Sequence, residues 1–261
     1  MSRMLACLAS RAMPLREALS EHVLAEFEGL SRLHGDGSGY GAAGAAPRRT
    51  VRLPGEPHAW TDDREPGALR LLYLRFASRG AEVSAANIQP FLADGILFQH
   101  NGALSPRDAA LGRLTASERD GLQGTTDSEV YFALVRRAWR ERSGATSAAA
   151  AHAVADAVRA VRGMYPAACL NAMAAVGDTL VVVQSAGTTT APLAAFAARG
   201  FDPAGLPAGH DAHYNQMFTT RDERSGARLI ATTGIRLAGW RPLPAETVTA
   251  YRRDRTARVT L

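Results

Sequence analysis

The chain opens on an apolar run, Met1-Ser2-Arg3-Met4-Leu5-Ala6-Cys7-Leu8-Ala9. A run this short, free of turn residues, reads as a buried β-strand that starts at the leading end of the chain. Ser2 is the first residue left if Met1 is removed. A hydroxyl there has a base beside it, its own α-amino group, with a reference pKa of about 7.7–8.0. Taking up the hydroxyl proton is one way to activate a weak nucleophile. The plainer alternative is a strand that happens to begin at a chain end. Cys7 lies five positions from Ser2, so on a period-2 strand it faces the opposite side. That makes it a core residue rather than a second nucleophile.

Length and composition bound what such a strand can belong to. With 261 residues and 46% hydrophobic content, the chain suffices for one large domain or two small ones with a sizeable core. No apolar run reaches the ~18–20 residues needed to span a bilayer, and the opening run lacks a cleavage pattern. A cytoplasmic protein with no membrane partner is expected. Cys7 and Cys169 have neither metal nor redox spacing. The net charge of +5 is carried entirely by arginine, in scattered pairs such as Arg48-Arg49 and Arg136-Arg137. These are not interleaved with aromatics, so no nucleic-acid partner is expected. His210 and His213 are three apart without a third ligand nearby, which argues against a metal site.

Leu15, Leu19, Val23, Phe27 and Leu30 predict an amphipathic helix over 15–30. The glycine-rich stretch His34 to Gly41 predicts a tight turn into a strand, or alternatively a flexible loop. Residues 43–66 read as exposed hairpin connections. Residues 68–78 read as a strand buried on both faces, with Arg75 near its end. A guanidinium there needs an anion, either a structural Asp or Glu or the carboxylate of a substrate. Asn87 to Phe91 reads as a turn leading to a second buried strand, 94–100, which stops at Asn101-Gly102. Asn-Gly is a turn signal. It also offers a side-chain amide beside a backbone N–H, the parts an oxyanion hole needs.

Helix signals follow Ser105-Pro106 and recur at Thr125 to Glu129, where Thr126 and Glu129 have capping-box spacing and Asp127 suits the first turn. The Ala-rich stretch 145–163 keeps helical spacing through Val154, Val158 and Val161. Strands are expected at 178–184, 213–218, 228–233 and 246–252, with a short helix at 191–199. No repeat or linker divides the chain, so residues 1–261 read as a single α+β domain of stacked layers.

Taken in order, these segments resemble the class II glutamine amidotransferase domain, an N-terminal-nucleophile hydrolase. The opening Met1-Ser2-Arg3-Met4-Leu5 is similar to the family's Met-Cys-Arg-Leu-Leu-like start. His34 to Gly39 resembles its His-x-Asp-Gly-x-Gly turn, and Leu74 to Gly80 its strand ending in Arg with a downstream Ser and Gly. Asn87 to Phe91 resembles its Asn-x-His-Pro-Phe segment, with Gln89 where His is usual. His100-Asn101-Gly102 and Thr126 to Glu129 match two further motifs. Leu170-Asn171, Val181 to Gln184 and Leu229 to Trp240 resemble its closing strands, with Thr232-Thr233-Gly234 in place of Ser-Glu-Pro.

The resemblance implies a four-layer αββα sandwich in which the N-terminal residue attacks the γ-amide of glutamine or of a γ-glutamyl compound, without a cofactor or metal. It implies that Arg75 holds the substrate α-carboxylate and Asp127 its α-ammonium. Asn101 and Gly102 would stabilise the oxyanion, while Ser78 and Gly80 would shape the pocket. The departure is Ser2, where the family has Cys, a residue far more readily ionised near neutral pH. The serine fits an acylase-type hydrolase, a substrate-trapping replacement, or a catalytically silent relative that binds a ligand or a partner subunit. The active chain would be either a stand-alone amide hydrolase or the glutaminase subunit serving a separate synthase.

Overall fold

The computed structural model describes residues 2–51, 56–78, 80–142, 146–236, 238–253 and 255–261; Met1 lies outside them, and so does the question of its removal. The first half supplies β1 (Arg3–Met13), helices α1 (Leu15–Ala18) and α2 (Glu21–Gly29), then β2 (Ser38–Ala42), β3 (Arg48–Thr50), β4 (Gly67–Leu74), β5 (Phe91–Ala93) and β6 (Ile96–Asn101). Helices α3 (Arg107–Leu111), α4 (Ala116–Asp120), α5 (Asp127–Glu141) and α6 (Ser147–Met164) follow. The remainder holds β7 (Asn171–Val176), β8 (Thr179–Gln184), α7 (Leu193–Ala197), β9 (Met217–Arg221), β10 (Arg228–Thr232), β11 (Arg241–Pro242), β12 (Thr247–Arg252) and β13 (Arg255–Thr260).

Two antiparallel sheets result. One has the order β11-β9-β10-β1-β4-β2-β3 and the other β13-β12-β8-β7-β6-β5. The alternation of side chains along each strand explains why they stack. Met4, Ala6 and Leu8 of β1 meet Leu97, Met173 and Val182 of the other sheet in an apolar layer between the two. Leu5, Cys7 and Ala9 point outward and pack under Leu15, Leu19, Val23 and Phe27. On the far side, Phe98, Ala174 and Val183 are covered by α5 and α6 through residues such as Val130, Leu134, Val154 and Val158. The layers therefore run helix, sheet, sheet, helix, the αββα sandwich expected. Cys7 is core, as its parity requires, and burial pushes its thiol up to about 12. Among the described residues no helix is long and apolar enough to cross a membrane.

Several local expectations are corrected. The 15–30 helix is interrupted at Leu19, whose backbone is extended, because Ser20 restarts the chain with its N–H donated to Asp222 Oδ2 at 2.7 Å. All five predicted apolar positions nevertheless reach one core. Residues 43–66 do form a hairpin, β2–β3, but the segment is not wholly exposed: Trp60 and Asp63 are buried. Residues 52–55 of that stretch lie outside the described residues. Asp63 accepts from the Tyr40 hydroxyl at 2.8 Å and from Arg48 Nη2 at 2.5 Å, and Arg70 Nε donates to the same Tyr40 oxygen at 2.8 Å. Strand 213–218 starts later, at Met217, since 213–216 are turn.

The glycine-rich stretch is a turn into β2, not a loose loop. A Cβ on Gly39 would lie 1.7 Å from the Gln89 carbonyl oxygen, so the close approach of β2 to the 87–90 segment excludes any side chain there.

Candidate active site

Ser2 is buried just ahead of β1, with its Oγ directed at the end of β4. It accepts the Phe76 backbone N–H at 3.1 Å and the Tyr73 hydroxyl at 2.7 Å. Tyr73 and Arg75 are two residues apart and share a direction off the chain. Gln89 Nε2 donates to the Tyr73 oxygen at 3.1 Å, while Gln89 Oε1 accepts the His100 N–H at 2.5 Å. Burial pushes the Tyr73 phenol up to about 12, so it stays protonated and acts as a donor, not a base.

Arg3 anchors the strand from the other face. Fully buried, it stacks its guanidinium 3.9 Å from the Tyr214 ring centre and donates to Thr233 Oγ1 at 2.8 Å. Beside it, His210 Nε2 lies 3.1 Å from His34 Nε2. Burial, assisted by the Arg3 charge, pulls the His210 imidazole down to about 3. A histidine whose folded pKa is depressed contributes stability above its unfolded value of ~6.5 and loses it as pH falls below that. Lowering pH from 7.5 to 5 is therefore expected to cost about 2 kcal/mol through this residue, measured by urea unfolding. His210→Gln should flatten that dependence; an unchanged slope would assign it elsewhere.

A cavity of about 590 Å³ opens over the Ser2 hydroxyl. Six of the residues singled out in the sequence line it together: Ser2, Arg75, Ser78, Gly80, Gly102 and Asp127. Arg75 is buried, and its Nη2 donates to the Glu82 carbonyl at 2.7 Å. Its Nη1 has no partner, and no carboxylate pairs with the guanidinium among the described residues.

Asp127 begins α5 behind Thr126, whose side chain accepts the Glu129 N–H at 3.3 Å. The capping box is half formed, because the Glu129 carboxylate instead accepts the N–H groups of Gln123 and Gly124 at 2.7 and 2.8 Å. One oxygen of Asp127 accepts the Leu104 N–H at 2.5 Å, which ties the 102–107 loop to the helix. Arg75 and Asp127 are not paired with each other among the described residues.

Asn101 ends β6 and is fully buried, one residue behind the cavity wall. Both its amide nitrogen and its amide oxygen lack partners among the described residues. Gly102 follows at the wall itself. A Cβ on it would meet the Cys169 carbonyl oxygen at 1.9 Å, so only glycine passes between β6 and that segment. His100 Nδ1 faces Ser128 Oγ at 3.0 Å and Nε2 faces the Cys169 carbonyl at 3.1 Å. Burial holds this imidazole below its ordinary value. Gly80 has φ of +77° with open space around its α-carbon, so its glycine serves the backbone rather than close packing.

Other residues of the site were given no role there from the sequence, although Asn87 opens the Asn-Ile-Gln-Pro-Phe segment. Asn87 staples two walls, accepting the Thr125 N–H at 2.8 Å and donating to Thr125 Oγ1 at 3.0 Å. Tyr73 had one usable signal: a tyrosine in a strand buried on both faces must find a partner for its hydroxyl.

No family model matches the chain, and no curated protein does. Solved structures do. A glutamine aminotransferase class-II domain protein from Silicibacter pomeroyi is similar at a TM-score of 0.61 with 17% identity, over 99% of this chain and 98% of that one. The glutamine phosphoribosylpyrophosphate amidotransferase of B. subtilis is similar at 0.58 with 14% identity, over 99% of this chain and 49% of its own. A glutamine amidotransferase predicted in Pseudomonas aeruginosa is similar at 0.55 with 14% identity, over 97% and 98%. At these identities the likeness carries the fold alone, two antiparallel sheets stacked between helices.

Proposed function

We propose that this chain hydrolyses the γ-amide of glutamine or of a γ-glutamyl compound through an acyl-enzyme on Ser2. The observation that carries the reading is one cavity lined by a hydroxyl, a carboxylate and a guanidinium that has no carboxylate partner among the described residues, the three not bonded to one another. Arg75 offers a charge-assisted fork for an α-carboxylate, and the second oxygen of Asp127 suits an α-ammonium. Such a clamp fixes an amino acid by its head and leaves its side chain to reach the hydroxyl.

In this reading the Ser2 α-amine, freed by loss of Met1, takes the Oγ proton as Oγ attacks the γ-carbonyl carbon. The carbonyl oxygen becomes an oxyanion held at the Asn101–Gly102 corner. Collapse breaks the C–N bond, and the α-ammonium returns its proton to the departing amine. Water then attacks the ester carbonyl as the amine takes a water proton; the C–Oγ bond breaks, the α-ammonium returns that proton to Oγ, and glutamate leaves. The donors from Phe76 N–H and the Tyr73 hydroxyl stabilise negative charge on Oγ during attack. Two of the three structural relatives carry glutamine amidotransferase names and the third is called a glutamine aminotransferase class-II domain protein, which supports chemistry on glutamine here.

The chain with Ser2 at its free terminus, and its Ser2→Cys variant, should both release glutamate from γ-glutamyl amides, the thiol faster. No release by either, over glutamine and a panel of γ-glutamyl amides, overturns hydrolysis. It leaves the silent, ligand-binding relative in its place.

A further inference from the structure

The cavity holds a second guanidinium that hydrolysis of glutamine does not use. Arg107 opens α3, five residues beyond Gly102, and lines the same cavity. It is only half-buried, yet its Nε is shielded from solvent and has no partner among the described residues. Among the described residues no carboxylate pairs with it. Its loop is held by the Leu104 N–H bond to Asp127, so the charge is carried on a tethered segment.

Cavity size points the same way. Some 590 Å³ falls within the ~300–1,000 Å³ that buries drug-sized ligands, more than a single amino acid requires. With the head group on Arg75 and Asp127 and the γ-carbonyl between Ser2 and Gly102, part of the cavity is left over, and Arg107 is among the residues that line the cavity. Glu82 also lines the cavity, but it is exposed.

We infer that Arg107 selects γ-glutamyl amides whose leaving amine carries a carboxylate, that is γ-glutamyl amino acids and peptides, over glutamine and neutral γ-glutamyl amides. This rests on the γ-glutamyl reading above. An arginine that lines a pocket without a carboxylate partner among the described residues is complementary to a carboxylate, and glutamine's leaving ammonia offers it nothing.

The test compares γ-glutamylglycine with the neutral γ-glutamylethylamide, by calorimetric binding and by glutamate release, in the parent chain and in Arg107→Ala and Arg107→Glu. The parent should favour γ-glutamylglycine by about tenfold or more, the low end for a charge-assisted hydrogen bond. Arg107→Ala should bring that ratio near one. Arg107→Glu should reverse it toward a γ-glutamyl amide with a cationic aminoethyl group. Because each readout is a ratio within one protein, partial unfolding of a variant does not imitate it. Equal binding of the two amides by the parent, or a ratio that survives Arg107→Ala, overturns the inference whether or not turnover occurs. Discrimination in binding without glutamate release sustains it and removes only the hydrolytic step. Failure of every γ-glutamyl compound to bind defeats both.

Discussion

Glutamate release is expected to fall by at least about a thousandfold in Ser2→Ala, the scale on which removing a nucleophile acts in hydrolases of the acyl-enzyme type. The change deletes one oxygen. What remains of the cavity, including Arg75, Asp127 and Gly102, is untouched, so substrate should still bind. Two hydrogen bonds are lost, from Phe76 N–H and the Tyr73 hydroxyl, at about 1 kcal/mol each. The protein should therefore stay folded. Mass spectrometry of the parent mixed with substrate should find a glutamyl adduct on Ser2, and none in the alanine variant. Activity in Ser2→Ala within tenfold of the parent would remove Ser2 from the chemistry.

Arg75 carries the second large effect. Arg75→Ala should lower kcat/KM for a γ-glutamyl amide by about a hundredfold or more, since a buried charge-assisted pair lost on one side costs about 2–5 kcal/mol. Arg75→Lys should recover little, because an ammonium cannot reproduce the fork. The guanidinium is also buried, so a structural role must be separated from binding. A substrate lacking the α-carboxylate, 4-aminobutanamide, does this. It should be a poor substrate for the parent and should lose no further activity on Arg75→Ala. Equal losses for both substrates would make Arg75 a structural residue.

Much of this site could be read along the chain because its parts come from turns that carry their own signals. Asn101-Gly102 ends β6 where a turn dipeptide stands, and Asp127 follows a threonine cap. Arg75 is conspicuous as a charge at the end of an apolar strand. Tyr73 offered only a hydroxyl in a buried strand, Asn87 only its place in the Asn-Ile-Gln-Pro-Phe segment, and Arg107 nothing. Their importance lies in contacts with Ser2, Thr125 and a shared cavity, pairings that no local pattern encodes. The same limit explains the missed strands. β7, Asn-Ala-Met-Ala-Ala-Val, is rich in a helix-favouring residue and is strand only because both its edges are paired. β13, Arg-Thr-Ala-Arg-Val-Thr, lies at the edge of its sheet with its side chains exposed or half-exposed, so no apolar run marks it.

The position of β1 within its sheet has a consequence for biosynthesis. One edge is covered by β4, but the other is covered by β10, residues Arg228–Thr232. A ribosome adding ~5–20 residues per second takes roughly ten seconds or more to travel from the first of these strands to the last. Throughout that interval the leading end has only half its cradle. Until β10 is made, β1 can pair only with β4.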